Sequence, residues 1–111
     1  MAYECIRLST HAQVAWLDYA LSPVNAFTRQ MVDEVRDAIG ATLADRDARV
    51  LVLGSAVPGY FSAGADLRAF EGMKAPQMRA WAQTTHEIAR LLRASPKPLL
   101  AAIHGVAVGG G

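Results

Sequence analysis

Residues 48–66, ARVLVLGSAVPGYFSAGAD, run from a continuous apolar segment through a Pro-Gly turn into a stretch almost without reactive side chains. The first half, ARVLVLGS (48–55), is apolar without alternation, the pattern of a strand covered on both faces. The second half, FSAGAD (61–66), contains no histidine, no metal-ligand pair and no nucleophile beside a base. The arrangement then recurs. LLAAI (99–103) is a second apolar segment after Pro98, and it too runs into small residues, GVAVGGG (105–111). Between the two, Pro76 suits the first turn of a helix whose apolar stripe is Met78, Trp81, Thr85, Ile88, Leu91 and Leu92, and Ser95-Pro96 end it. A shorter helical piece is expected from Asp66 to about Met73. Strand, helix, strand at this spacing is a parallel crossover, right-handed in nearly all cases. Ligands of such sheets bind beyond the carboxyl ends of the strands, where both small-residue loops fall. The fold class is α/β, with FSAGAD and GVAVGGG side by side.

Small residues let backbone N–H groups approach a ligand without a side chain in the way. Two converging N–H groups, one at a helix start, stabilise negative charge on an oxygen. The same residue types also serve tight turns and close packing, so each loop alone is a weak signal. Neither loop has the G-x-G-x-x-G or G-x-x-x-x-G-K-[ST] spacing, although a phosphate contact is compatible with the position of GVAVGGG after a strand.

Upstream, YECIRLS (3–9) and QVAWLDY (13–19) read as a hairpin with its turn at Thr10-His11-Ala12. LSPVNAF breaks the pattern, with Pro23 and Asn25 as turn residues. Phe27, Met31, Val35, Ile39 and Leu43 then recur every four residues, which predicts a helix capped by Thr28 and weakened by Gly40.

The apolar fraction is 52% and the charged fraction 19%, so the chain has much surface to bury. A chain of 111 residues buries only about two-thirds of its unfolded surface, which points to burial against further chain or a partner. Eleven basic and ten acidic residues are interspersed, giving a formal charge of +1 without a basic block. That balance argues against nucleic-acid or polybasic membrane binding. A single cysteine, Cys5, leaves no intrachain disulfide, and no apolar run has the length of a signal or a membrane span. The expectation is a soluble, cytoplasmic protein.

FSAGADL, about thirty residues of helix, and then KPLLAAIHGVAVGGG together resemble the paired signature of the crotonase, or enoyl-CoA hydratase/isomerase, superfamily. VAWLDYALSPVNAF is similar to that family's N-terminal strand and Asn-Ala turn, and ARVLVLGS to the strand before the first loop. The resemblance extends through the chain in order and spacing. It implies a spiral of ββα-like turns, of which residues 1–111 would be the N-terminal part of a single domain, and a whole protein assembled as a trimer or dimer of trimers. It implies acyl-CoA chemistry, foremost the hydration of a 2-enoyl-CoA. The thioester oxygen would be held by the backbone N–H groups of Ala65 and Gly110. Val24, Ala63, Asp66, Leu67, Val106 and Gly109, with Ala65 and Gly110 themselves, would shape the CoA slot. No metal or redox cofactor is implied, since backbone amides do the polarising; coenzyme A enters as part of the substrate.

In hydratases of this family a catalytic glutamate follows the triple glycine and a second lies further on, beyond Gly111. Those carboxylates activate the water and supply the proton, general acid–base help worth about 10²–10⁴-fold. Two alternatives therefore stand beside hydration: another reaction of the family, such as isomerisation, and a non-catalytic piece that packs with other subunits. The same reasoning predicts a sequence that is part of a longer protein, with LLAAI left as an exposed edge.

Other side chains read as structural. His104 suits a turn, His11 the hairpin turn and His86 a polar helix face. Asp66 suits a helix start. Glu71 and Glu87 read as solvated, Ser62 has no base nearby, and Cys5 reads as a small strand residue. Trp16 and Trp81 read as core, with Trp81 also a candidate for the wall of an acyl pocket.

Overall fold

The computed structural model describes residues 2–111. A four-stranded sheet in the order β1 (Ile6–His11), β2 (Val14–Tyr19), β3 (Val50–Ser55), β5 (Leu99–Ala101) carries two helices, α1 (Arg29–Ala44) and α2 (Ala75–Arg93). β1 and β2 are antiparallel, whereas β2–β3 and β3–β5 are parallel. β4 (Tyr60–Ser62) and β6 (Val106–Ala107) form a second, two-stranded parallel sheet.

The hairpin turn lies one step later than Thr10-His11-Ala12. His11 pairs with Val14 at the end of the ladder, and Ala12 and Gln13 make the turn with φ of 50° and 68°. A two-residue turn with both φ positive matches the right-handed twist of the flanking strands. Neither residue is a customary turn former, so the position carried no sequence signal. His11 is thus an exposed strand residue.

Along β2, Ala15, Leu17 and Tyr19 are buried, and in register with them stand Leu51, Leu53 and Ser55 of β3. α1 lays Met31, Val35, Ala38 and Ile39 on this face, where they form the core with Ala15, Leu17, Tyr19 and Leu51, and Leu53 packs against it. Period-two alternation sends Trp16 to the other face, where it is 38% exposed, so it is not the core residue expected of it. Trp16, Val52 and Leu100 lie in one row across that face. β5 is shorter than LLAAI, and Leu100 and Ile103 are exposed, the open edge that the sequence predicted.

α1 begins where the four-residue stripe placed it. The Thr28 hydroxyl accepts the Met31 N–H at 3.2 Å and satisfies one of the unpaired first-turn donors. Gly40 is tolerated inside it. At its C-terminus the Lys97 ammonium donates to the carbonyls of Thr42 and Asp45 at 2.7 and 2.6 Å. A cation there adds a second, charged donor to carbonyls that otherwise accept only the long bonds from Asp45 N and Ala48 N, and it opposes the helix dipole. α2 starts with Pro76 in its first turn and buries Trp81 and Thr84; Arg29 on α1 donates to the Thr84 hydroxyl at 3.1 Å. The helical piece after Asp66 is one 3-10 turn, Leu67–Phe70.

Candidate oxyanion site

Three backbone segments lie edge to edge beside the sheet: residues 24–27, 60–66 and 106–111. On one edge of the middle segment, Ala63 N donates to Val24 O at 3.0 Å, Phe27 N to Gly64 O at 2.8 Å and Asp66 N to Phe27 O at 2.9 Å. On the other edge, Tyr60 pairs with Val106, and Val108 N donates to Ser62 O at 3.2 Å. FSAGAD and GVAVGGG are therefore neighbours, as the crossover predicted. Their contact is close enough to require glycine. Gly64 has φ of 84°, and a Cβ on it would lie 2.9 Å from Val108 O and 3.4 Å from Gly110 N.

This ladder leaves a particular donor free. Ala65 forms a parallel bridge with Phe27, in which the flanking Gly64 O and Asp66 N make the hydrogen bonds. Strand geometry then turns the N–H of Ala65 to the opposite edge, the edge along which residues 106–111 run. Among the described residues, neither Ala65 N nor Gly110 N has a hydrogen-bond acceptor. Ala63, Gly64, Asp66 and Gly111 all have one.

Ala65, Gly110 and Gly111 form one wall of a cavity of about 670 Å³ between the helices and the sheet. Four aromatic side chains, Tyr19, Phe27, Phe61 and Trp81, line it, with aliphatic groups from α1, α2 and β3. Tyr19 stands edge-on to both Phe27 and Phe61, at 5.3 and 5.2 Å between ring centroids, and Trp81 edge-on to Phe70 at 5.2 Å. No lining residue carries a charge. Burial pushes the Tyr19 phenol up to about 12, so it stays protonated at neutral pH. Two unpaired amides beside an apolar cavity can polarise a carbonyl, since low-dielectric surroundings strengthen each hydrogen bond. They cannot move a proton.

The other residues singled out from the sequence lie on the three segments or next to them, off the cavity wall. Val24 and Ala63 are bonded to each other, and Gly109 packs against Gly64. Val106 sits in β6 and is 39% exposed, and Leu67 is 76% exposed. Asp66 caps the 3-10 turn: its carboxylate accepts the Arg68 N–H at 3.0 Å and pairs with the Arg68 guanidinium at 2.9 Å. These bonds hold its carboxyl below the usual carboxylate range. None of these six lines the cavity. Trp81, read as core and as a candidate pocket wall, is both: it is buried and it lines the cavity. Cys5 is buried, and burial raises its thiol above the ordinary value, the opposite of an activated nucleophile. Among the described residues no three His, Cys, Asp or Glu side chains group closely enough to hold a metal, and no helix is long and apolar enough to cross a membrane.

One contributor carried no chemical signal in the sequence. Asn25 marks a turn there, but here it is fully buried, has φ of 53° and makes hydrogen bonds through both ends of its carboxamide.

A sequence profile of a family described as enoyl-CoA hydratase/isomerase matches residues 12–111. The crotonyl-CoA hydratase of Syntrophomonas wolfei is 33% identical over 113 aligned residues, covering 100% of this chain and 43% of that protein. Among solved structures, Pseudomonas aeruginosa DspI matches with a TM-score of 0.90 and 29% identity, covering 100% of this chain and 43% of the other. An enoyl-CoA hydratase from Bacillus anthracis matches with a TM-score of 0.85 and 26% identity, over 97% and 43%. The chain thus spans less than half the length of these relatives.

Proposed function

The chain belongs to the enoyl-CoA hydratase/isomerase family, and on that premise we propose that its protein acts on acyl-CoA thioesters, adding water across the 2,3-double bond of a 2-enoyl-CoA. The observation that carries this reading is the pair of unpartnered amides, Ala65 and Gly110, on one wall of an uncharged cavity. A thioester oxygen bound between them draws electron density from C3 through the double bond as water attacks that carbon. The resulting enolate oxygen is what the two N–H groups stabilise. The proton then goes to C2. The apolar walls hold the acyl chain, and Val24 together with Ala63, Asp66, Leu67, Val106 and Gly109 of the two loops meets the CoA moiety.

Water activation and protonation need acid–base groups, and no lining residue carries a carboxylate or an imidazole. We assign these steps to carboxylates outside residues 1–111. Isomerisation and other reactions of acyl-CoA enolates would use the same two amides and differ in where those carboxylates stand. The working protein in this reading needs no metal or redox cofactor, because the amides polarise the carbonyl. Residues 1–111 are part of one catalytic domain, in a cytoplasmic homo-oligomer of three or six chains.

The test is titration of the intact protein with crotonyl-CoA and with free CoA, together with a hydration assay on the same sample. Preferred binding of the thioester with turnover is the expected result. Thioester binding no tighter than that of free CoA overturns the two-amide site. Tight binding with isomerisation or hydrolysis in place of hydration keeps the site and replaces the reaction.

A further inference from the structure

Oxyanion donors act only when held rigidly where charge develops. Ala65 lies in a loop, so something must fix the orientation of the Gly64–Ala65 peptide. Asn25 has the connections to do so. Its Oδ1 accepts the Leu21 N–H at 2.8 Å, which closes its own turn. Its Nδ2 donates to Ser55 Oγ at 2.8 Å and to the carbonyl of Phe61 at 3.0 Å. Its own carbonyl accepts the Ser62 hydroxyl at 2.8 Å, and that hydroxyl accepts the Gly64 N–H at 3.0 Å. Asn25 and Ser62 are both fully buried, so each bond is made out of reach of water.

The chain of contacts thus runs from Asn25 to Ser62 to Gly64 N, while Gly64 O is held separately by Phe27 N. With both its N–H and its C=O engaged, Gly64 cannot turn without breaking a bond, and the next amide is that of Ala65. Resting on the reading of Ala65 as a thioester donor, we propose that Asn25 and Ser62 are positioning residues that aim this N–H at the substrate oxygen. The left-handed backbone of Asn25 belongs to the device. It is what lets one residue present its carboxamide to β3 and β4 and its carbonyl to Ser62.

The test uses the intact protein and an aryl-acryloyl-CoA thioester, whose absorption band moves to the red when its carbonyl is polarised. Two variants separate the parts. Ser62→Ala removes the hydroxyl link alone, and Asn25→Gly keeps the left-handed backbone without the carboxamide. The expected result is a red shift in the wild type that is largely lost in folded variants, while the dissociation constant changes by less than about threefold. On an enoyl-CoA substrate kcat should fall by roughly 10- to 100-fold at nearly constant KM, the scale of a misplaced catalytic contact. If Asn25→Gly does not fold, Ser62→Ala decides alone. A full red shift in the variants overturns the inference and leaves the Ala65 site intact. Loss of affinity in parallel with the shift also overturns it, since that marks a collapsed loop. No red shift in the wild type overturns the thioester site itself, and the inference with it.

Discussion

Gly64 and Val108 approach so closely that no side chain fits between them: a methyl group on Gly64 would stand 2.9 Å from the Val108 carbonyl oxygen. Gly64 also has φ of 84°, a region that residues with a Cβ enter at a cost. Gly64→Ala is therefore expected to destabilise the fold by about 1–3 kcal/mol and to push the two loops apart. Chemical denaturation reads the first effect, and weakened binding of an acyl-CoA thioester the second. Unchanged stability would mean that the loops separate freely, and thus that their contact holds nothing in place.

Ala65→Pro removes the proposed donor without breaking a hydrogen bond of the fold, because Ala65 N has no acceptor within it, and sets a ring methylene where the N–H pointed. The folded variant, checked by circular dichroism, should lose at least about 2.7–4 kcal/mol of transition-state stabilisation, the cost of deleting one oxyanion donor in a hydrolase. Steady-state kinetics of the intact protein checks this. Undiminished kcat/KM would remove Ala65 from the site.

Gln13→Gly should stabilise the protein. Gln13 sits at φ of 68° in the β1–β2 turn, and only its backbone carbonyl, which accepts the Arg49 N–H at 2.7 Å, is engaged. Glycine keeps that bond and relieves the left-handed strain, for a net gain of roughly 0.5–1 kcal/mol in unfolding free energy, read by chemical denaturation. A loss of stability would show that the Gln13 side chain, and not the turn, sets this corner.

Tyr19 gives a pH-dependent signature. Burial raises its phenol from 10.0 to about 12, so the folded state holds this proton more tightly than the unfolded chain does. The stabilisation is complete below pH 10 and is lost as pH rises toward 12, by an amount on the order of 2–3 kcal/mol. Unfolding free energies measured across that range should fall less steeply in Tyr19→Phe. Identical slopes would place the phenol in water.

The sequence made α1 readable because a four-residue apolar stripe and a Thr28 cap are local signals, and the parallel crossover followed from strand and helix lengths. β4 and β6 were not readable. Segments of three and two residues carry no period, and their pairing is created by the glycines that let them meet. Trp16 misled because hydrophobicity alone does not say which face of a strand a residue takes. The residues Ala65 and Gly110 were named through a resemblance of motifs, whereas the free state of their amides depends on which neighbours are already bonded. Asn25 was legible as a turn and silent as a clamp, because its partners lie 30–37 positions away in the chain.

The unbonded amide of Ala65 has a consequence for inheritance. Every residue except proline carries a backbone N–H, so almost any codon at this position encodes the same proposed donor. What a lineage can lose by mutation is the scaffolding around that group, at Gly64, Ser62 or Asn25. Divergence in this protein should therefore leave the donor untouched and register as drift in its aim.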